Sequence, residues 1–66
     1  MIAEIHHVKR QLLVRAIRFK EYYYFTLVGD NGEPIAQSEQ YTQKHNVTEV
    51  LRKYFPAYDV KDLTGE

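Results

Sequence analysis

Few residues in this chain could do chemistry, and their spacing argues against most of it. Three histidines, His6, His7 and His45, are the obvious metal ligands. On a strand, His6 and His7 point to opposite faces, and on a helix they stand about 100° apart. Neither arrangement lets both hold one ion within a single chain, so no metal is expected. Glu33 and Glu39 flank a short segment six positions apart. Extended chain separates them by about 20 Å, too far for a paired acid and base. Ser38 has no histidine beside it in sequence, and only His45 could approach through the following loop. Its expected role, with Glu39 and Tyr41, is to hydrogen-bond the loop that leads into a helix. No catalytic residue and no cofactor are expected. The more suggestive set is Tyr22 and Tyr24, with Arg15 and Arg18 expected on the neighbouring strand. Aromatic platforms beside basic residues can stack bases and hold phosphates. Tyrosine and arginine are equally the residues that concentrate binding energy between proteins.

The whole chain limits these choices. It has 66 residues, nine Lys/Arg balanced by nine Asp/Glu, and therefore no formal net charge. That balance argues against a strongly basic nucleic-acid protein and against an acidic disordered tail. Residues 1–20 nevertheless carry +4, through Lys9, Arg10, Arg15, Arg18 and Lys20 against Glu4, and residues 21–66 carry −4. A basic arm beside an acidic body suits a polyanion or the acidic half of another copy. Hydrophobic residues make up 44% and aromatics 14%, enough for a packed core. The chain has no cysteine, no apolar run of the roughly 20 residues that span a bilayer, and no opening signal peptide. A single cytoplasmic domain over 1–66 without membrane contact is expected. A core this small supplies only about 3–5 kcal/mol, and with no disulfide or metal to help, self-association is favoured.

The elements can be read along the chain. Tyr22-Tyr23-Tyr24-Phe25-Thr26-Leu27-Val28 is dense in aromatic and β-branched residues and reads as a strand. Gly29-Asp30-Asn31-Gly32 follows as a tight hairpin turn, with Pro34 to Ser38 as the return strand. Val47, Val50, Leu51, Tyr54 and Phe55 form one apolar helical stripe. Asn46 and Glu49 read as a capping box, and Pro56 stops the helix, which places it at about 47–55. Ala57 to Leu63 returns as an extended segment anchored by Val60 and Leu63. The first twenty residues fit a helix or a strand. Residues 12–19 lean to strand, with a turn at Lys20-Glu21, and residues 1–11 are an extension of either kind.

Both faces of the two expected strands are apolar. Tyr23, Phe25 and Leu27 lie opposite Tyr22, Tyr24 and Val28; Leu13, Ile17 and Phe19 lie opposite Leu12, Val14 and Ala16. One nine-residue helix, about 13–14 Å long, covers one face only. The other is left as an apolar patch, whose simplest occupant is a second copy related by a two-fold axis.

The stretch from Phe25 to Thr42 resembles the signature of the YegP-like small-domain family, approximately F-x-L-x-A-x-N-G-E-x-I-x-x-S-E-x-Y. Phe25, Leu27, Asn31, Gly32, Glu33, Ile35, Ser38, Glu39 and Tyr41 match in order and spacing over 17 residues, with Gly29 in place of Ala. Asp62-Leu63-Thr64 matches the family's closing D-L-T. The segment from Thr42 to Pro56 is shorter than the family's, and the first dozen residues have no counterpart. The resemblance implies an α+β fold, an antiparallel sheet of three or more strands with one helix on one face. It also implies homodimers among single-copy members, and it supplies no catalytic residue. The expected function is a non-catalytic protein-interaction module that pairs through its sheet and acts as an adaptor or inhibitor of a larger assembly. Leu12, Val14, Arg15, Arg18, Tyr22 and Tyr24 are its candidate contact residues. The alternative is a single-stranded nucleic-acid binder using the basic first segment with Tyr22 and Tyr24.

Overall fold

The computed structural model describes residues 1–13 and 17–65, with the backbone alone for 10–13 and 17–20. Two long strands, β1 (Ile2–Leu13) and β2 (Ile17–Val28), precede the short β3 (Pro34–Gln37). Helix α1 (Lys44–Tyr54) and the short β4 (Asp59–Asp62) complete the order. The sheet runs β3-β2-β1-β4, antiparallel at both inner pairs and parallel where β4 joins β1. The fold is therefore α+β, as expected, with one parallel edge in a mostly antiparallel sheet.

The N-terminal half departs from the sequence reading. Residues 1–11 are no extension but most of the sheet's inner strand β1, and the turn expected at Lys20-Glu21 does not exist. Lys20 and Glu21 lie within β2, where they face Arg10 and Lys9. Alternation explains the outcome. Ala3 and Ile5 are buried at 0% and 1% exposure, with the partly exposed Glu4 between them, so the segment has the period of two of a half-buried strand. Glu21 is accommodated within the strand by its carboxylate meeting His7 Nε2 at 2.7 Å, with Lys9 as its register partner across the ladder. The strand expected over 12–19 is thus divided between the end of β1 and the start of β2.

The β2–β3 hairpin follows expectation. Gly32 adopts φ +82°, a region that glycine enters without steric cost. Its amide donates to the Gly29 carbonyl at 2.9 Å, and the Gly29 amide donates to Glu33 at 2.9 Å. Pro34 opens β3 on the sheet edge, where its missing amide hydrogen costs least. A register shift between Leu27 and Val28 accompanies it.

Helix α1 starts earlier than the capping-box reading placed it. Gln43 is the N-cap, in extended conformation and without a side-chain cap bond. Asn46 lies inside the first turn, its amide donating to the Gln43 carbonyl at 3.1 Å. Glu49 pairs forward with Arg52 at 2.7 Å instead of reaching back. The helix stops before Pro56, as expected, with the Phe55 amide donating to Leu51.

The core forms on one sheet face from Ala3, Ile5, Tyr23, Phe25 and Leu27, against Val47 and Leu51 of α1. Val50, Phe55, Tyr41 and Tyr58 pack around it. Each large apolar side chain taken out of water contributes roughly 1.5–3 kcal/mol. Tyr54, expected in the stripe, is 63% exposed because it turns off the seam, with Lys53 Nζ 5.3 Å from its ring centre. Val60 and Leu63 are also not the expected anchors, at 54% and 47% exposure. Tyr58 does that work, its ring edge-on to Phe55 with centres 5.7 Å apart.

Candidate interaction surfaces

Alternation along β1 and β2 gives the sheet two unlike faces. On the face away from α1, the Tyr24 ring stacks on His6 with centres 4.8 Å apart, and Tyr22 lies tilted beside Tyr24 at 6.2 Å. His6 Nε2 stands 3.6 Å from Glu4. Ile2, Val8, Thr26 and Val28 complete this half-exposed surface. On the opposite face, His7 stacks on the buried Tyr23 at 4.3 Å and meets Glu21 Oε1 at 2.7 Å through Nε2. His6 and His7 thus serve opposite faces, as the strand reading required, and His45 lies on α1.

Among the candidate contact residues, Tyr22 and Tyr24 are adjacent on the helix-free face. Arg18 was expected on a neighbouring strand, but it lies on β2 with the two tyrosines, opposite Leu12 of β1. The reason is the long strand: once Lys20 and Glu21 join the ladder, everything from Ile17 to Val28 is one segment. The side chains of Leu12 and Arg18, and Val14 and Arg15 altogether, lie outside the described residues.

Of Ser38, Glu39 and Tyr41, expected to hydrogen-bond the loop into the helix, Ser38 does so through the Glu39 carbonyl, while Ser38 and Tyr41 also bond β2. The Ser38 hydroxyl accepts from the Phe25 amide at 2.9 Å and donates to the Glu39 carbonyl at 2.9 Å. Tyr41 exchanges backbone bonds with Tyr23 at 2.7 and 2.8 Å. Burial, and secondarily the charge of Glu39, pushes the Tyr41 hydroxyl above its usual pKa.

Two features at the β4 edge escaped the sequence reading. Lys44 of α1 forms an ion pair with Asp62 of β4. Hydrogen bonds from Lys44 and then Thr64 hold the Asp62 carboxyl down to a pKa of about 2. Beside this strap lies a groove of about 200 Å³ lined by Thr48, Leu51, Arg52, Phe55, Pro56, Tyr58 and Val60. It is apolar apart from Thr48 and Arg52 and brings together no nucleophile with a base. No group of three metal-ligating side chains occurs among the described residues, and no helix among them is long and apolar enough to cross a membrane.

These features define a small α+β domain with one aromatic sheet face left uncovered. Residues 20–49, which run from β2 through the turn and β3 into α1, match a family model described as a domain of unknown function (DUF1508). No curated protein and no solved structure matches the chain.

Proposed function

We propose that this chain is a non-catalytic protein–protein interaction module that pairs with a second copy through its sheet. The observation that carries the reading is the helix-free face. Ile2, Val8, Tyr22, Tyr24 and Val28 are only half-covered there, while α1 shields the other side. A partner that removed these side chains from water would add apolar burial that a small core needs. The aromatic group at its centre, His6 with Tyr22 and Tyr24, has the character of a binding hot spot. The match over residues 20–49 supports the YegP-like resemblance as the same family, whose single-copy members are read as homodimers. An adaptor or an inhibitor of a larger cytoplasmic assembly fits this reading.

A second reading rests on one strand. Arg18, Lys20, Tyr22 and Tyr24 follow one another on β2, a spacing suited to single-stranded nucleic acid. Absolute mass by light scattering, at low and high salt and with a mixed-sequence oligonucleotide, separates the two. A salt-resistant dimer that ignores the oligonucleotide supports self-pairing. A monomer that gains mass only with oligonucleotide at low salt overturns it in favour of nucleic acid.

A further inference from the structure

β1 and β2 outrun the rest of the sheet. β4 pairs with β1 only from Ile2 to Ile5, and β3 with β2 only from Thr26 to Val28. A bridge from Tyr41 to Tyr23 marks the last place where a third segment joins the ladder among the described residues. From Val8 and Tyr22 outward the two strands continue alone, in unbroken register, to Leu13 and Ile17. The molecule accordingly measures 45 × 23 × 20 Å. Alternation sorts the residues of this two-stranded ribbon. Val8, Arg10 and Leu12 share the helix-free face with Tyr22, Lys20 and Arg18, and Arg10 stands opposite Lys20. Glu21, the one acid in residues 5–13 and 17–28, belongs to the other face, where it meets His7. Three basic residues thus share the outer part of one face, with no acid on it before Glu4.

We propose that this ribbon enters the major groove of double-stranded DNA, with Arg10, Arg18 and Lys20 as its phosphate contacts. The groove is about 12 Å wide and admits a two-stranded ribbon. Six strand residues span about 17–20 Å, roughly half a helical turn. Phosphate contact needs no base stacking, for which the aromatic patch is poorly arranged. The Tyr24 ring already lies against His6 at 4.8 Å, and Tyr22 leans beside it. A single strand would need open ring faces, so the arrangement favours a duplex. The attraction is local, because the net negative charge that balances the chain lies in residues 21–66. Contacts to phosphate fix the ribbon in place without reading bases, so binding is sequence-tolerant. The three basic positions lie outward of Tyr22, beyond the patch proposed for self-pairing, and the inference rests on neither earlier reading.

Fluorescence anisotropy tests this with the whole chain and a labelled mixed-sequence DNA duplex, folding being checked by circular dichroism. The parent is expected to bind at low salt, with a log–log salt slope of about −2.7 for three phosphate contacts. Arg10→Gln, Arg18→Gln and Lys20→Gln together should weaken binding at least tenfold. Arg18→Gln alone should flatten the slope by about 1, and it decides the matter if the triple variant unfolds. Arg52→Gln on α1 should change neither affinity nor slope. The single strand of the same sequence should bind at least tenfold more weakly than the duplex. So should the corresponding RNA duplex, whose narrow major groove shuts side chains out. Absence of duplex binding at low salt overturns the proposal, as do folded variants with the parent's affinity and slope. Tighter binding of the single strand overturns it in favour of the tyrosines, and equal affinity for duplex RNA overturns groove entry.

Discussion

The hydroxyl of Ser38 takes the amide hydrogen of Phe25 at 2.9 Å, and the Ser38 amide returns a bond of the same length to the Phe25 carbonyl. One residue thus carries the β2–β3 ladder past the end of β3 with both its backbone and its side chain. Ser38→Ala leaves the amide of a buried residue without that acceptor, a loss of about 1–3 kcal/mol. Urea unfolding measures it, and an unchanged midpoint would show that the hydroxyl does not support the ladder.

Leu51 is, with Val47, one of the two helix residues buried in the core against the sheet, at 2% exposure. Leu51→Ala should cost about 2–5 kcal/mol, comparable with the whole stability of a domain this small. Circular dichroism is expected to show a largely unfolded chain at 25 °C. Tyr54→Ala, three positions along on the exposed side, should stay within about 0.5 kcal/mol of the parent.

Gly32 tests backbone strain in isolation. A Cβ added there meets nothing within 4 Å, so only its φ of +82° penalises a side chain. Gly32→Ala should therefore cost about 1 kcal/mol, and thermal unfolding should fall by roughly 4–8 °C. A clash-driven loss would be larger.

Asp62 should give the domain an acid-sensitive increment of stability. Its carboxyl titrates near 2 when folded, below the roughly 3.9 of an unfolded aspartate. The increment is therefore fully present above about pH 4 and disappears as the pH falls through 2. Asp62→Asn should be less stable than the parent by a constant margin near neutrality, with the gap closing between those values. Unfolding midpoints measured from pH 2 to 7 check this, and a gap independent of pH would place the contribution elsewhere.

Tyr24→Glu sets a charge in the middle of the helix-free face, beside His6. If that face pairs two copies, the variant should be monomeric where the parent is dimeric, with unchanged circular dichroism. Light scattering on both proteins decides it, and an unaltered mass would exclude the face as the interface.

What could be read from the sequence was what neighbours in sequence determine. Asn31-Gly32 specifies its turn through its own backbone, and the aromatic and β-branched run from Tyr22 to Val28 marks a strand. Both faces of that strand are apolar, however, and only the packing of α1 decides that Tyr23, Phe25 and Leu27 are the buried ones. Pro56 ends α1 by local sterics. The β1–β2 ladder was hidden because Lys20-Glu21 looks like a turn until Lys9 and Arg10 are placed across from it, a pairing that distant residues supply. The start of α1 carries no cap signal, since Gln43 offers no side-chain bond and the more conventional Asn46 sits within the turn. Val60 and Leu63 have core-like side chains but sit at an edge, and edge position depends on the strand order. For the same reason Arg18 could be paired with Tyr22 and Tyr24, yet not assigned to their strand.

β1 has neighbours of two very different origins, β2 directly after it and β4 from the far end of the domain. The two hairpins can close on a microsecond scale from nearby contacts. Pairing Asp59 with Met1 joins residues far apart in sequence, so its loop-closure entropy exceeds that of either hairpin. On that ground β4 is expected to dock after them and to open more readily. Its brief departures uncover one side of β1, and amide exchange with solvent at Asp59 and Leu63 should then run ahead of exchange within the β2–β3 ladder.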